Sequence, residues 1–320
     1  MTQIPTSQVV LGAALSHSPL MMIDELDAGS AGQRFLTGID EVRHQLESSN
    51  VDTVVIVFPD HFRNFHYHHM PSFCVGLRRL STFGDWRLPK LDRLEVDESL
   101  ATHVLEGLFA RGFDPAYSVD MRMDHGGAQL ITMLDLDRFA IVPVFVNCAA
   151  APLPSLTRCF QFGTAIAEAV ADFSDNRRVA VLGSGGLSHT VPFPAWEALE
   201  PQDERYATFV TGLDDEQLAA LEEQRIAHFT EAVRAGRVLL NEELDHTVLK
   251  SLEQGALTAL LELTTEELTD RGGEGMNEIR TWITAFAAAG AGTARQVAYE
   301  PVPMWATGMG AMTFGTNVPS

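Results

Sequence analysis

Three cysteines, Cys74, Cys148 and Cys159, are all that the sequence has. Their odd number, without CxxC or paired spacing, excludes a disulfide framework and a thiolate zinc site and leaves them as small buried apolar residues. No apolar run approaches the roughly 20 residues that span a bilayer. Met1 to Gln8 also lacks the basic and apolar regions of a signal peptide, so the expectation is a cytoplasmic protein with no membrane partner. Positive charge is scarce too: 22 Lys and Arg against 43 Asp and Glu leave a formal net charge of −21. Such a charge repels a phosphate backbone, and no basic cluster stands against it, so no nucleic-acid partner is expected. It gives no global attraction for an anionic small molecule either. Recognition of a carboxylate would have to come from locally placed cations.

What is present is an ordinary globular composition, 46% hydrophobic and 20% charged over 320 residues, enough for a substantial core. Val9 to Leu15, Thr53 to Phe58, Phe139 to Val146 and Arg178 to Gly183 are apolar, β-branched runs without alternation, the pattern of strands buried on both faces. Between them Gly32 to Ser48, Val96 to Ala110 and Leu156 to Asp172 carry helical periodicity. Alternation of the two predicts an α/β fold with a central, mainly parallel sheet flanked by helices. From about Pro194 to Gly290 the chain turns acidic and rich in Ala and Leu, with no convincing strand, and predicts a helical region packed on the same domain; Thr281 to Ala289 is its most apolar helix candidate. No repeat or long linker divides residues 1–320, so one domain is expected. The Pro-, Gly- and Met-rich tail after Tyr299, with Met304, Trp305, Met309, Met312 and Phe314, predicts burial in the core or against another subunit.

Three histidines directly follow predicted strands, in Leu15-Ser16-His17-Ser18-Pro19, Phe58-Pro59-Asp60-His61-Phe62 and Gly183-Ser184-Gly185-Gly186-Leu187-Ser188-His189. A fourth, in Met123-Asp124-His125-Gly126-Gly127, follows the short run Pro115 to Val119. Residues beyond the carboxyl ends of strands in an open α/β sheet converge on one rim however far apart they lie in the chain. Any one of these histidines is more simply a structural residue; four in small polar turns point to a site. Two neutral imidazoles and one carboxylate leave positions open on iron(II) for oxygen activation. His17 and His61 offer the imidazoles, and Asn241-Glu242-Glu243-Leu244-Asp245 offers three acids, which alone would read as a solvated helix start.

The segments LSHSPL at Leu15 to Leu20, FPDHF at Phe58 to Phe62, MDHG at Met123 to Gly126 and LGSGGLSH at Leu182 to His189 resemble those of the class III extradiol dioxygenases, the protocatechuate 4,5-dioxygenase-like superfamily. Further similarity lies at Val142 to Asn147, Leu252 to Gly255 and Thr281 to Phe286, and the resemblance runs from about Val10 to Gly310. It implies an Fe(II) enzyme with one catalytic domain, His17 and His61 on the metal, and His125 and His189 as acid and base in an unassigned order. The superfamily's Asn-x-Glu-Trp-Asp pattern, laid on Asn241 to Asp245, selects Glu243 as the third ligand. Leu244 departs from that pattern, and Glu242 leaves the register open by one residue. The implied substrates are a catechol and O2, in particular 3-(2,3-dihydroxyphenyl)propionate and the related cinnamate, giving 2-hydroxy-6-oxonona-2,4-dienedioate; a homo-oligomer is also expected. The alternatives are a same-fold dioxygenase for another catechol or an aminophenol, and a non-catalytic binding protein on this fold.

Other readings of these residues are weaker. Gly183-Ser184-Gly185-Gly186 has Ser188 where a dinucleotide fingerprint has its last glycine, and Pro192 and Pro194 oppose a long helix there. Ser188 and His189 lack the GxSxG elbow of a hydrolase. In Phe65 to Met70 an extended chain would put His66 and His68 on one face and His69 on the other, which predicts a surface or supporting role rather than a second metal site.

Overall fold

The computed structural model of the chain describes residues 7–191 and 193–315, so Pro192 and Met1 to Thr6 lie outside the described residues. The elements run β1 (Gln8–Leu15), α1 (Gln33–Ser48), β2 (Thr53–Phe58), β3 (Phe73–Thr82), α2 (Glu98–Ala110), β4 (Ala116–Met123), α3 (His125–Leu134), β5 (Ala140–Val146), α4 (Leu156–Asp172) and β6 (Arg178–Ser184). They continue with α5 (Asp215–Arg234), α6 (Glu242–Gln254), α7 (Leu257–Leu261), α8 (Thr265–Gly272), α9 (Ile279–Ala288), β7 (Ala294–Val302) and β8 (Thr307–Phe314). One eight-stranded sheet has the order β4-β3-β5-β2-β6-β1-β8-β7. Its centre, β5-β2-β6-β1, is parallel; β3 pairs antiparallel with β5, and β8 antiparallel with β1.

The apolar runs form central strands because both of their faces have somewhere to go. In β2, Val55 and Val57 enter the core beneath α2, α4, α6 and α9, while Val54, Ile56 and Phe58 enter the core beneath α1 and α3. Each fully buried aliphatic side chain contributes about 1.5–3 kcal/mol to holding these layers together. α9 is buried all round and crosses α4 at Gly163, where a Cβ would stand 2.2 Å from the Thr284 carbonyl oxygen. That close crossing fixes the start of α9, which matters for the site.

Helix ends follow the local chemistry: Asp97 caps α2 by accepting from the Leu100 N–H, and Ser155 caps α4 by accepting from the Arg158 N–H. Residues 194–290 are helical, as expected. Strands β3, β7 and β8 were not expected, and β4 extends beyond the short run read from the sequence. The tail, expected to be buried, forms a hairpin whose inner strand, β8, is buried along its whole length. Glycine usually weakens a strand interior; here Gly308 and Gly310 let β8 pass close under residues 187–188 and Asp245. No helix among the described residues is long and apolar enough to cross a membrane.

Candidate metal and catalytic site

His17 and His61 stand just beyond β1 and β2, and His189 beyond β6. His125 arrives differently, because β4 and β3 run opposite to the central strands and the first turn of α3 makes the connection. Asp124 caps that turn through Oδ1, which accepts from the Gly126 N–H at 2.9 Å. Its Oδ2 accepts from the His61 N–H and from His61 Nδ1, each at 2.8 Å. One buried carboxylate thus joins the His61 loop to the His125 helix. Asp60 holds the rest of that loop by accepting from the N–H groups of Arg63, Asn64 and Phe65.

The four imidazoles converge. Ring centroids of His17 lie 5.5 Å from His61 and 5.6 Å from His125, and those of His61 and His125 stack at 4.2 Å. His17, His61 and His125 can each offer one ring nitrogen within 4.8 Å of the others. Among them sits a carboxylate that was not expected from the sequence: Glu278, 3% exposed, at the end of the 3₁₀ turn Glu274–Glu278 that leads into α9. Its Oε1 is 3.0 Å from His61 Nε2 and 3.6 Å from His189 Nε2, and its Oε2 is 3.6 Å from His17 Nε2 and accepts from the Gly186 N–H at 2.5 Å.

Glu243 does not join them. It lies exposed in the first turn of α6, as does Glu242, away from the histidines; the buried carboxylate among them is Glu278. The buried acid of that segment is Asp245, which accepts from the Ser188 N–H, the Ser188 hydroxyl and the Tyr299 hydroxyl, all at 2.8 Å. Its work is to hold the turn that carries His189. Glycines in that turn and in the turn facing it are matters of space: a Cβ on Gly186 would lie 2.4 Å from His189 Cε1, and one on Gly275 would lie 2.1 Å from His189 Nε2. The segment Phe65 to Met70 is a turn closed by a His66–His69 bridge rather than an extended strand; His66 is buried and His68 and His69 are exposed. No metal-holding group involving these three is found among the described residues.

Hydrogen bonds settle which ring nitrogens face inward. Ser184 Oγ donates to the Gly126 carbonyl, so it accepts from His17 Nδ1 at 3.1 Å. His61 donates through Nδ1 to Asp124, His125 through Nδ1 to Asp85 at 2.9 Å, and His189 through Nδ1 to the Leu187 carbonyl at 2.8 Å. All four Nε2 atoms are left for the site, the arrangement in which an outer hydrogen bond orients a ligating or proton-handling imidazole. Burial pushes the His17 pKa down to about 3, leaving a neutral imidazole with a free lone pair. Burial also opposes protonation of His61, but Asp124 and Glu278 outweigh it and lift its pKa well above the ordinary range. Burial opposes ionisation of Glu278, yet His17, His189 and His61 hold its carboxyl well below the usual range. The point between them therefore favours a cation, and two imidazole nitrogens with one carboxylate fit the donor set of a non-haem iron(II) centre.

This cluster forms the floor of a cavity of about 530 Å³, within the range of small-molecule sites, with walls that include Trp86, Phe193, Phe229 and Trp305. An inward-facing cluster of histidines and a carboxylate under an aromatic pocket could hold a metal ion against a flat small molecule. The chain belongs to the family described as the catalytic LigB subunit of aromatic ring-opening dioxygenase, which it matches over residues 11–310; it is an extradiol ring-cleavage enzyme. It is similar to the 2,3-dihydroxyphenylpropionate/2,3-dihydroxicinnamic acid 1,2-dioxygenase of Photorhabdus laumondii, with 34% identity covering 92% of this chain and 93% of that one. The enzymes of the same name from Paraburkholderia xenovorans and Klebsiella pneumoniae are 37% and 34% identical, covering 81% and 95% of this chain and 83% and 98% of theirs.

Proposed function

We propose that this enzyme uses iron(II) and O2 to open the ring of 3-(2,3-dihydroxyphenyl)propionate, and of the related cinnamate, to 2-hydroxy-6-oxonona-2,4-dienedioate. The names of the similar proteins and the site's chemistry support this reading. The observation that carries it is Glu278, a buried carboxylate facing the Nε2 atoms of His17 and His61. In this reading those three residues would hold the metal. When bound there, iron(II) supplies open positions at which catechol oxygens and dioxygen meet and electrons pass between them.

The chain's own residues handle protons. A catechol must lose protons to chelate, and a proton must be returned as the ring opens; imidazole suits both transfers near neutral pH. His125 is held by Asp85 and His189 by the Leu187 carbonyl, so each presents Nε2 to the cavity. Burial lowers the basicity of His189, but Glu278 and Leu187 more than restore it and its pKa is raised. Aromatic walls exclude water and favour a flat ring. The enzyme is proposed to act as a homo-oligomer in the cytoplasm.

The test is anaerobic reconstitution with iron(II), followed by O2 and a panel of catechols and aminophenols with ring opening read spectroscopically and product mass by spectrometry. The dienedioate from the propionate substrate supports the reading. Opening only of other catechols or aminophenols moves the enzyme to another substrate, and no opening of any compound defeats the reading.

A further inference from the structure

We propose that Arg225, on α5, is the residue that anchors the carboxylate of the substrate's side chain; this rests on the reading of the cavity as a catechol site. Leu221, Gln224, Arg225 and His228 all line the cavity, and their spacing places them on one face of α5. Trp86 measures how far this wall is from the floor: its ring lies 5.9 Å from His125 on one side and 5.8 Å from Phe229 of α5 on the other. The helix thus stands about one aromatic side chain away from the histidines. That is the scale on which a two-carbon chain would carry a carboxylate away from a ring seated over the floor.

Among the described lining residues, Arg205 and Arg225 alone carry a fixed positive charge. Arg205 is already occupied: its Nε lies 3.0 Å from Asp203 Oδ1 and its Nη2 2.7 Å from Asp203 Oδ2. Arg225 is partly buried, and no hydrogen bond or ion pair to it is found among the described residues. Burial, aided by the nearby Arg63, lowers its pKa to about 10, which still leaves it charged at neutral pH. Asp85 and Glu222 are near enough to favour that charge without pairing with it. A partly desolvated guanidinium with unused donors gains strongly from a carboxylate, which it can grip with two parallel N–H groups. In a chain of net charge −21, this is the local cation that an anionic substrate requires.

The experiment compares wild type, Arg225→Met and Arg225→Lys on 3-(2,3-dihydroxyphenyl)propionate and on 3-propylcatechol, which lacks the charge. The ratio of kcat/KM between the two substrates should fall by about 10- to 100-fold in Arg225→Met, mostly through KM, and by less in Arg225→Lys. Calorimetry with 3-phenylpropionate, which is not a catechol, gives a readout independent of turnover: wild type should bind it at least about tenfold more tightly than it binds 3-phenylpropionamide, and Arg225→Met should lose that preference. An unaltered substrate ratio, an equal loss on both substrates, or a wild type that does not distinguish acid from amide overturns the proposal. A wild type that opens neither catechol defeats the functional reading alone, and the calorimetry then decides for Arg225.

Discussion

Each histidine of the site has one ring nitrogen committed to the protein and one turned to the cavity. Three of the inward nitrogens, those of His17, His61 and His189, lie within 3.6 Å of a Glu278 oxygen. In the proposed reading the first two hold the metal, while His125 and His189 handle protons. His17→Ala should therefore lose iron together with turnover. His189→Ala should stay folded, keep iron and lose about 100-fold or more in kcat. Iron content per folded chain separates the two, and loss of iron in both variants would contradict the division. Asp124→Ala should act through His61, weakening iron affinity by about 10- to 100-fold without removing a ligand; an unaltered iron titration would show that the bond does not orient the ring. The histidines were legible because each sits in a short polar turn after an apolar run. Glu278 was not, because it is one of two acids in a glycine-rich turn, and only the largely apolar helix that follows hinted that its side chain had to be buried. Asp245 was overlooked as an anchor because an acidic helix start gives no sign of which acid turns inward.

At the level of elements, the best-read segments were those with a strong period and a cap, such as α4 behind Ser155 and α2 behind Asp97. Strands β7 and β8 were hidden by Pro301, Gly308 and Gly310, residues that ordinarily argue against a strand and are tolerated here because the hairpin closes the sheet beside β1. β3 was masked by its polar far half, Arg78 and Arg79, where the strand leaves β5 and pairs with β4. Asp97 shows what a single cap carries: it accepts from the Leu100 N–H, Thr53 and Ser99, and faces Arg177 at 3.3 Å. Burial opposes its ionisation, but these partners outweigh burial and its pKa is lowered. Because the folded value lies below the unfolded one, the charge stabilises the fold fully above the ordinary carboxylate range, and this stabilisation is lost as pH falls through the depressed value. Asp97→Ala should cost about 1–2 kcal/mol near pH 7 in urea unfolding. The gap from wild type should narrow below about pH 4; a gap independent of pH would mean that packing, not charge, sets it.

Taken as a whole molecule, the site is a product of topology. Parallel β1, β2 and β6 bring three histidines to one edge of the sheet. The fourth arrives on α3 from a strand of opposite direction, and the carboxylate arrives last, on the turn before α9, which is fixed by its crossing with α4. The strand-exit rule foresaw the first three but could not foresee which distant turn would fold over them. The central claim is that Glu278, not the acidic start of α6, completes the metal site. The most direct measurement is anaerobic iron(II) titration of Glu278→Gln beside Glu243→Gln, with both variants checked for folding by circular dichroism. Glu278→Gln should fail to retain iron while Glu243→Gln matches wild type; retention of wild-type iron affinity by Glu278→Gln, or its loss by Glu243→Gln, would contradict the account.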